Sequence, residues 1–124
     1  MRGQLYDLPY GYPALVVPGE DVRATGTANY LADAERGDNA EAGPQEASSN
    51  WDAVHGEILS FGDPGERLPA LDGLEGFHPG EKSFYRRVLI AATLAQTGAT
   101  VLVWAYAIES ENGVYLPGGR WPAP

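Results

Sequence analysis

The feature that most constrains the fold is an uncharged stretch of 21 residues, 88–108, which directly follows two arginines. Its length, its apolar character and its basic flank are typical of a transmembrane helix. Its centre, residues 96–100, reads Gln-Thr-Gly-Ala-Thr, which is turn chemistry placed where a helix would cross the middle of a bilayer. Its two halves are rich in Val, Ile, Thr, Trp and Tyr, which favour strands. The stretch therefore predicts a buried hairpin with strands over residues 85–95 and 100–108, and a membrane helix is the alternative.

The rest of the chain predicts short strands and one helix. The chain contains 16 Gly and 10 Pro, so helix content should be low and turns frequent. Further strands are expected at residues 3–8, 14–17 and 51–61. The helix is expected over residues 66–75, where Gly76 can end it with a positive φ and Pro69 is tolerated because it falls in the first turn.

Acidic residues are concentrated in residues 19–50. This segment holds seven acids and two arginines, so it carries −5 of the formal net charge of −9. Its only large apolar residues are Val22, Tyr30 and Leu31, too few to offset the entropy of ordering the chain. We therefore expect a surface loop or disordered insertion at about residues 19–50, with no more than a helical turn or two at 29–36. A solvated spacer and a lid over a site both fit this composition.

Composition and charge exclude several classes of function. At 124 residues a single domain spanning 1–124 is expected. The strong negative charge argues against binding to nucleic acid or to an anionic membrane. The chain has no cysteine, so it has no disulfide, thiolate nucleophile or cysteine zinc site, and its histidines form no metal-ligand spacing, so no metal is expected. Arg2 is followed by Gly and Gln rather than by an apolar run, so no signal peptide is indicated and a cytoplasmic location is predicted.

The predicted helix carries one carboxylate in an unusual place. On a helical wheel of about 100° per residue, Leu68, Leu71 and Leu74 form the apolar stripe. Glu75 falls inside that stripe, whereas Asp72 falls just outside it. A carboxylate on an apolar face is unfavourable unless it is paired or protonated, and desolvation raises a carboxyl pKa towards the range of a general acid/base. Periodicity leaves three interpretations of Glu75 open, namely catalysis, an ion pair with Arg86 or Arg87, and simple exposure.

Six short motifs in a fixed order resemble the γ-glutamylcyclotransferase-like family. They are Gly-Gln-Leu-Tyr-Asp-Leu at 3–8, Gly-Tyr-Pro-Ala-Leu-Val at 11–16, Val-His-Gly-Glu-Ile-Leu at 54–59, Leu-Asp-Gly-Leu-Glu-Gly at 71–76, Tyr-Arg-Arg at 85–87 and Trp-Ala-Tyr at 104–106. Each motif is weak alone, and the series in order is fairly specific. The resemblance implies an α+β fold, mostly β, with a small mixed barrel-like sheet of about five strands and one or two short helices.

The resemblance also implies an activity, the intramolecular cyclisation of a γ-glutamyl group that releases 5-oxoproline and a free amine. The family's acid/base glutamate corresponds to Glu75. The resemblance places Tyr12, Tyr85 and Tyr106 at the substrate, and Arg87 beside a substrate carboxylate or Glu75. It implies a small-molecule γ-glutamyl substrate and no cofactor.

The chain departs from the family pattern at its start. The family begins with a Tyr-Gly-x-Leu strand and a helix that hold the substrate and stabilise the oxyanion, and this sequence starts after that unit. Three explanations follow: an N-terminally truncated enzyme, a strand supplied by another chain or a second copy in a homodimer, or a degenerate member without activity. The alternative function is therefore a non-catalytic binding or interaction protein on the same scaffold.

Overall fold

A computed structural model describes residues 1–9, 13–39, 51–60, 62–80, 83–109 and 113–120. The predicted α+β class, mostly β, is confirmed, because these residues form seven strands in two antiparallel sheets and two helices. The strands are β1 (Arg2–Asp7), β2 (Pro13–Val16), β3 (Ala24–Thr25), β4 (Asp52–Ala53), β5 (Arg86–Thr93), β6 (Thr100–Ala107) and β7 (Val114–Leu116), and the helices are α1 (Tyr30–Asn39) and α2 (Pro64–Glu75). The expected arrangement was one mixed sheet of about five strands. The described residues instead form two separate sheets, one of four strands and one of three.

The predicted hairpin is confirmed and forms the centre of the second sheet. Strands β5 and β6 pair antiparallel from Arg86 opposite Ala107 to Thr93 opposite Thr100, and β3 pairs with the other edge of β5. The connecting turn contains Gly98 at φ 75°, a conformation that favours glycine. Strand β5 is buried almost throughout, whereas β6 is only half-buried. No helix in the described ranges is long and apolar enough to cross a membrane.

The first sheet is built around β1. Strand β2 pairs with Gln4–Asp7, β7 pairs with Leu5–Asp7, and β4 pairs with only Arg2 and Gly3. The prediction of a strand over residues 51–61 is therefore wrong beyond Ala53 for the residues described, and Phe61 lies outside them. The Val54 N–H still donates to the Met1 carbonyl, but the next N–H, that of His55, donates to the Gly119 carbonyl at 2.9 Å, so the chain leaves β1 at this point.

Two clusters of buried side chains form the core. One lies under the first sheet and contains Tyr6, Leu8, Ala14, Tyr85 and Ile108, with Tyr106 packed against it. The other lies against β5 and contains Val88, Ile90 and Ala107. The Ile108 N–H donates to the Leu15 carbonyl at 2.8 Å, so the end of the hairpin is tied to β2. This contact brings the two sheets together near Tyr106.

The acidic segment is more ordered than its composition predicted. The expectation of a loop or disordered insertion is wrong for residues 19–39, which form a 3-10 turn at Gly19–Asp21, then β3, then the ten residues of α1. Helix α1 begins after Asn29, whose side-chain Oδ1 accepts a hydrogen bond from the Ala32 N–H at 3.2 Å, as an N-cap does. Residues 40–50 lie outside the described residues.

Helix α2 starts two residues earlier than predicted. Asp63 is its N-cap and Pro64 its first residue, a position where proline is favoured. Pro69 therefore lies inside the helix and not in its first turn, which corrects that expectation. The predicted end is confirmed, because Gly76 adopts φ 72° and donates its N–H to the Gly73 carbonyl, while the Phe77 N–H donates to the Asp72 carbonyl. These two bonds make a Schellman motif, which turns the chain so that Phe77 is buried.

Candidate active site

A fully buried arginine on β5 lies at the centre of the site. The Arg87 side chain is packed against α2 and the segment that leads into α1, and the residue has 0% solvent exposure. Its Nε donates to Asp72 Oδ1 at 2.8 Å and its Nη2 donates to Asp72 Oδ2 at 3.2 Å. The same Nη2 donates to the Thr27 carbonyl at 3.1 Å. Such a two-pronged pair suits the planar guanidinium, which matches a carboxylate in shape.

A second carboxylate reaches Arg87 from α1. Asp33 Oδ2 lies 3.0 Å from Arg87 Nη1, which makes an ion pair but not a hydrogen bond. The Thr27 N–H and hydroxyl donate to the two Asp33 oxygens at 2.8 and 2.9 Å. Asp33 is also fully buried. The site thus holds two buried carboxylates around one buried guanidinium, and the exposed Arg36 reaches only Asp33, with its Nη1 4.0 Å from Oδ1.

The electrostatics keep Arg87 charged. Burial alone lowers the pKa of its guanidinium, but the hydrogen bonds and negative charge of Asp72, followed by the nearby carboxylate of Asp33, outweigh burial and raise that pKa above its ordinary value. Gly26 allows the guanidinium to lie against the backbone here. A Cβ at Gly26 would stand 2.7 Å from Arg87 Cζ, closer than real side chains come.

Aromatic rings surround the guanidinium on its remaining sides. Its Cζ lies 4.9 Å from the centre of the Trp104 ring and 5.7 Å from the centres of the Tyr30 and Phe77 rings. The Trp104 indole N–H also donates to the Asp33 carbonyl at 2.9 Å, which fixes α1 against β6. Rings at these distances favour a cation and exclude water from it.

Tyr106 extends this cluster towards α2. Its hydroxyl donates to Asp72 Oδ1 at 2.5 Å, on the carboxylate that Arg87 holds. Burial is the main cause that raises the pKa of the Tyr106 hydroxyl well above its ordinary value, and the hydrogen bond and charge of Asp72 add to it. Glu75 is close enough that its charge raises this pKa a little further.

Glu75 lies at the last position of α2, three residues after Asp72, and is half-buried. The ion pair with Arg86 or Arg87 that was one interpretation of Glu75 does not form in the described residues, since Arg86 pairs with Glu109 and Arg87 with Asp72 and Asp33. The third interpretation, simple exposure, does not fit the half-buried Glu75. The exposed residue at this end of the helix is its neighbour Leu74, which is 80% exposed. The helix therefore presents a half-buried carboxylate next to the network around Arg87.

Comparison with known families decides what this arrangement belongs to. The γ-glutamyl cyclotransferase, AIG2-like family matches residues 42–123, about two thirds of the chain. The chain belongs to this family. No curated protein and no solved structure matches it significantly.

The γ-glutamyl cyclotransferase match covers four of the six motifs noticed in the sequence, those at 54–59, 71–76, 85–87 and 104–106. The motifs at 3–8 and 11–16 lie before the matched range. Three of the four matched motifs meet at the site, because they supply Asp72 and Glu75, Arg87, and Trp104 and Tyr106. The motif at 54–59 lies apart from it, next to the first sheet.

The other predicted site residues of this γ-glutamyl cyclotransferase-like chain lie elsewhere or are rearranged. Tyr85 is buried in the core of the first sheet, and its hydroxyl donates to the Pro13 carbonyl at 3.0 Å. Tyr12 lies outside the described residues. Arg87 has no exposed surface, so a direct contact with a substrate carboxylate does not fit its position, and its partners are Asp72 and Asp33. In the described ranges no cluster of three or more His, Asp or Glu is arranged to hold a metal ion.

Two residues of the site, Asp72 and Asp33, were not predicted from the sequence. The predicted apolar stripe on α2 is rotated in the structure, since Asp72 is 1% exposed while Leu74 is largely exposed. The signal available for Asp72 was its place beside Glu75 in a motif shared with the family. Asp33 carried no such signal, because it lies in the acidic segment before the range that matches the family.

Proposed function

We propose that this protein catalyses the intramolecular cyclisation of a γ-glutamyl group, releasing 5-oxoproline and a free amine, with Glu75 as the general acid/base. The observation that carries the proposal is Glu75 itself. It is a half-buried carboxylate in the family's Leu-Asp-x-Leu-Glu-Gly motif, it has no ion-pair partner in the described residues, and it lies beside a fixed tyrosine hydroxyl.

The chemistry asks little of the protein beyond positioning and one proton carrier. The neutral α-amine of the substrate attacks the γ-carbonyl carbon, and a C–N bond forms in a five-membered ring. Glu75 takes a proton from the attacking nitrogen and returns it to the leaving nitrogen as the original amide bond breaks. Nucleophile and carbonyl belong to one molecule, so holding one conformer supplies much of the rate. Protons and electrons balance without water, metal or cofactor.

The remaining residues take supporting roles in this proposal. Tyr106 is the substrate-facing hydroxyl, and Asp72 and Arg87 hold it in place. Substrate contacts of Tyr85 and Tyr12, the extent of the domain over 1–124, a cytoplasmic location and a strand supplied by a second copy or another chain stay predictions. The amide on which the enzyme acts, whether in a γ-glutamyl amino acid or on a lysine side chain, is also open to experiment.

The test measures 5-oxoproline released from γ-glutamyl amino acids and γ-glutamyl-Nε-lysine. Glu75→Gln keeps the size of the side chain and removes its proton-carrying role, so we expect turnover to fall by at least about a hundredfold. Glu66→Gln is the matched control, because Glu66 is an exposed acid in the first turn of the same helix and should leave turnover unchanged. Turnover that survives Glu75→Gln would reject the acid/base role. Absence of 5-oxoproline from all these substrates would favour a non-catalytic binding protein on the same scaffold.

A further inference from the structure

The direction of the hydrogen bond that Tyr106 makes, which we call its hydrogen-bond polarity, determines which ligand groups can bind beside it. The hydroxyl oxygen of Tyr106 and Oδ1 of Asp72 are 2.5 Å apart, a distance at which two oxygens must share a proton. Asp72 accepts two hydrogen bonds from Arg87, one at each carboxylate oxygen, which favour its ionised form. Asp72 is also only 1% exposed. The proton in this contact therefore belongs to Tyr106, which donates it to Asp72.

The direction of this bond is fixed by the buried network of Asp33, Arg87, Asp72 and Tyr106. Arg87 is the only cation in direct contact with Asp72 among the described residues, and it also faces Asp33. Asp72 and Asp33 share this one buried guanidinium, and the exposed Arg36 reaches only Asp33, at 4.0 Å, so a hydroxyl proton at Asp72 adds to the stabilisation of its negative charge. Turning the Tyr106 proton away would leave two oxygens facing each other 2.5 Å apart beside a buried carboxylate, which is unfavourable.

A tyrosine hydroxyl has one proton to donate and lone pairs to accept. With its proton on Asp72, Tyr106 can only accept a hydrogen bond from a ligand. It therefore suits an amine or ammonium group and not the oxygens of a carboxylate or a carbonyl. The nearby negative charge of Glu75 favours the same cationic or N–H donor group.

We infer that the Tyr106 hydroxyl oxygen accepts a hydrogen bond from the α-amino group of the γ-glutamyl ligand, and that Asp33, Arg87 and Asp72 are positioning residues that set this polarity. The inference rests on the proposed function for the identity of the ligand. It places Tyr106 and Glu75 at the same nitrogen, so the hydroxyl orients the amine while the carboxylate accepts its proton. A tyrosine whose pKa is raised by burial and by Asp72 also stays protonated at alkaline pH, so the polarity does not change there.

The test is a binding cycle between one hydroxyl and one amino group. The protein carries Glu75→Gln so that no ligand is turned over, and calorimetry measures the affinity with and without Tyr106→Phe. The ligands are γ-glutamyl-L-alanine and γ-glutamyl-Nε-lysine, each beside its glutaryl counterpart, which lacks only the α-amino group. We expect Tyr106→Phe to weaken the amine-bearing ligands roughly tenfold to a hundredfold, as for a hydrogen bond to a charged group, and the glutaryl ligands by less than about twofold.

Tyr115→Phe is the matched control, since it removes another tyrosine hydroxyl that bonds an aspartate, Asp52, on the other sheet. It should leave all four affinities unchanged. Equal losses for amine-bearing and glutaryl ligands would overturn the inference, as would no loss at all or no binding of any ligand. Amine-dependent loss without 5-oxoproline release by the wild type would reject the reaction and keep the recognition, so the two failures are distinguishable.

The positioning role has its own readout. Asp72→Asn offers Tyr106 a neutral partner, so the ionisation of Tyr106 should move to lower pH. The near-ultraviolet absorbance of tyrosinate measures this ionisation. The signal of Tyr106 is the absorbance of Asp72→Asn minus that of the same variant with Tyr106→Phe. An unchanged ionisation would show that Asp72 does not set the polarity. Circular dichroism checks that each variant folds, and if Asp72→Asn does not, Asp33→Asn takes its place, with a smaller shift in the same direction expected.

Discussion

Replacing Arg87 with methionine should destabilise the fold far more than any exposed arginine would. The change keeps an unbranched side chain of similar length and removes the charge. It strands Asp72 and Asp33, which are 1% and 0% exposed, without the guanidinium that lies 2.8 and 3.0 Å from their oxygens. Leaving a buried charge without its partner costs about 3–5 kcal/mol. Two carboxylates are left here, so we expect a loss at the upper end, near 5 kcal/mol.

Urea unfolding followed by tryptophan fluorescence measures this loss, since the Trp104 ring lies 4.9 Å from the guanidinium. Arg86→Met is the control on the neighbouring position, because Arg86 pairs at 3.5 Å with a largely exposed Glu109 and should cost less than about 1 kcal/mol. Adding Asp72→Asn and Asp33→Asn to Arg87→Met should restore part of the stability by removing the stranded charges. Equal losses for the two arginine variants would refute the reasoning.

Two further predictions follow from contacts around the same guanidinium. Gly26→Ala places a methyl group 2.7 Å from Arg87 Cζ, and the carboxylate partners of Arg87 hold that atom in place. We therefore expect the free energy of unfolding, measured in urea, to fall by about 1–3 kcal/mol. Gly19→Ala should change it very little, because nothing lies within 4 Å of a Cβ at that position. If both glycine variants unfold alike, the close approach is not limiting. Because the folded protein raises the Tyr106 pKa, the hydroxyl contributes stability that is present below the ordinary value of 10.0 and is lost as the pH rises above it. The wild type should therefore lose unfolding free energy more steeply than Tyr106→Phe above about pH 10, and parallel pH dependences would contradict the shift.

The elements set by local chemistry were predictable from the sequence. The hairpin was visible because two β-favouring runs flank a Thr-Gly turn, and the structure pairs them in that register. The end of α2 was visible because Gly76 directly follows Glu75 at the end of the helical pattern, and it adopts the left-handed conformation. The wheel and the motif both pointed to Glu75, and its catalytic role stays a prediction.

The parts that depend on partners distant in sequence were not predictable. Periodicity counted Leu74 towards the core and left Asp72 outside it, whereas Arg87 on β5 makes burial of Asp72 favourable. Composition likewise placed the acidic segment in solvent. It could not show that Arg87, far away in the sequence, would pair with Asp33 and make its burial favourable. The strand expected over 51–61 is short because its length depends on its partners: only Arg2 and Gly3 of β1 pair with it, and the His55 N–H donates to Gly119 instead.

The dependence of Arg87 on Asp33 has a consequence for where this protein can be divided. The stretch that matches the family begins at residue 42, yet Asp33, Thr27 and Gly26 precede it, and so do β1, which joins β4 and β7, and β3, which covers one edge of β5. A fragment starting at residue 42 would keep the recognisable motifs and lose the second carboxylate and the sheet partners that hold them. The part of the chain that is recognisable as a family member is thus smaller than the part that must fold together. When segments are exchanged between relatives, the exchanged segment should include the residues before 42 that hold the site.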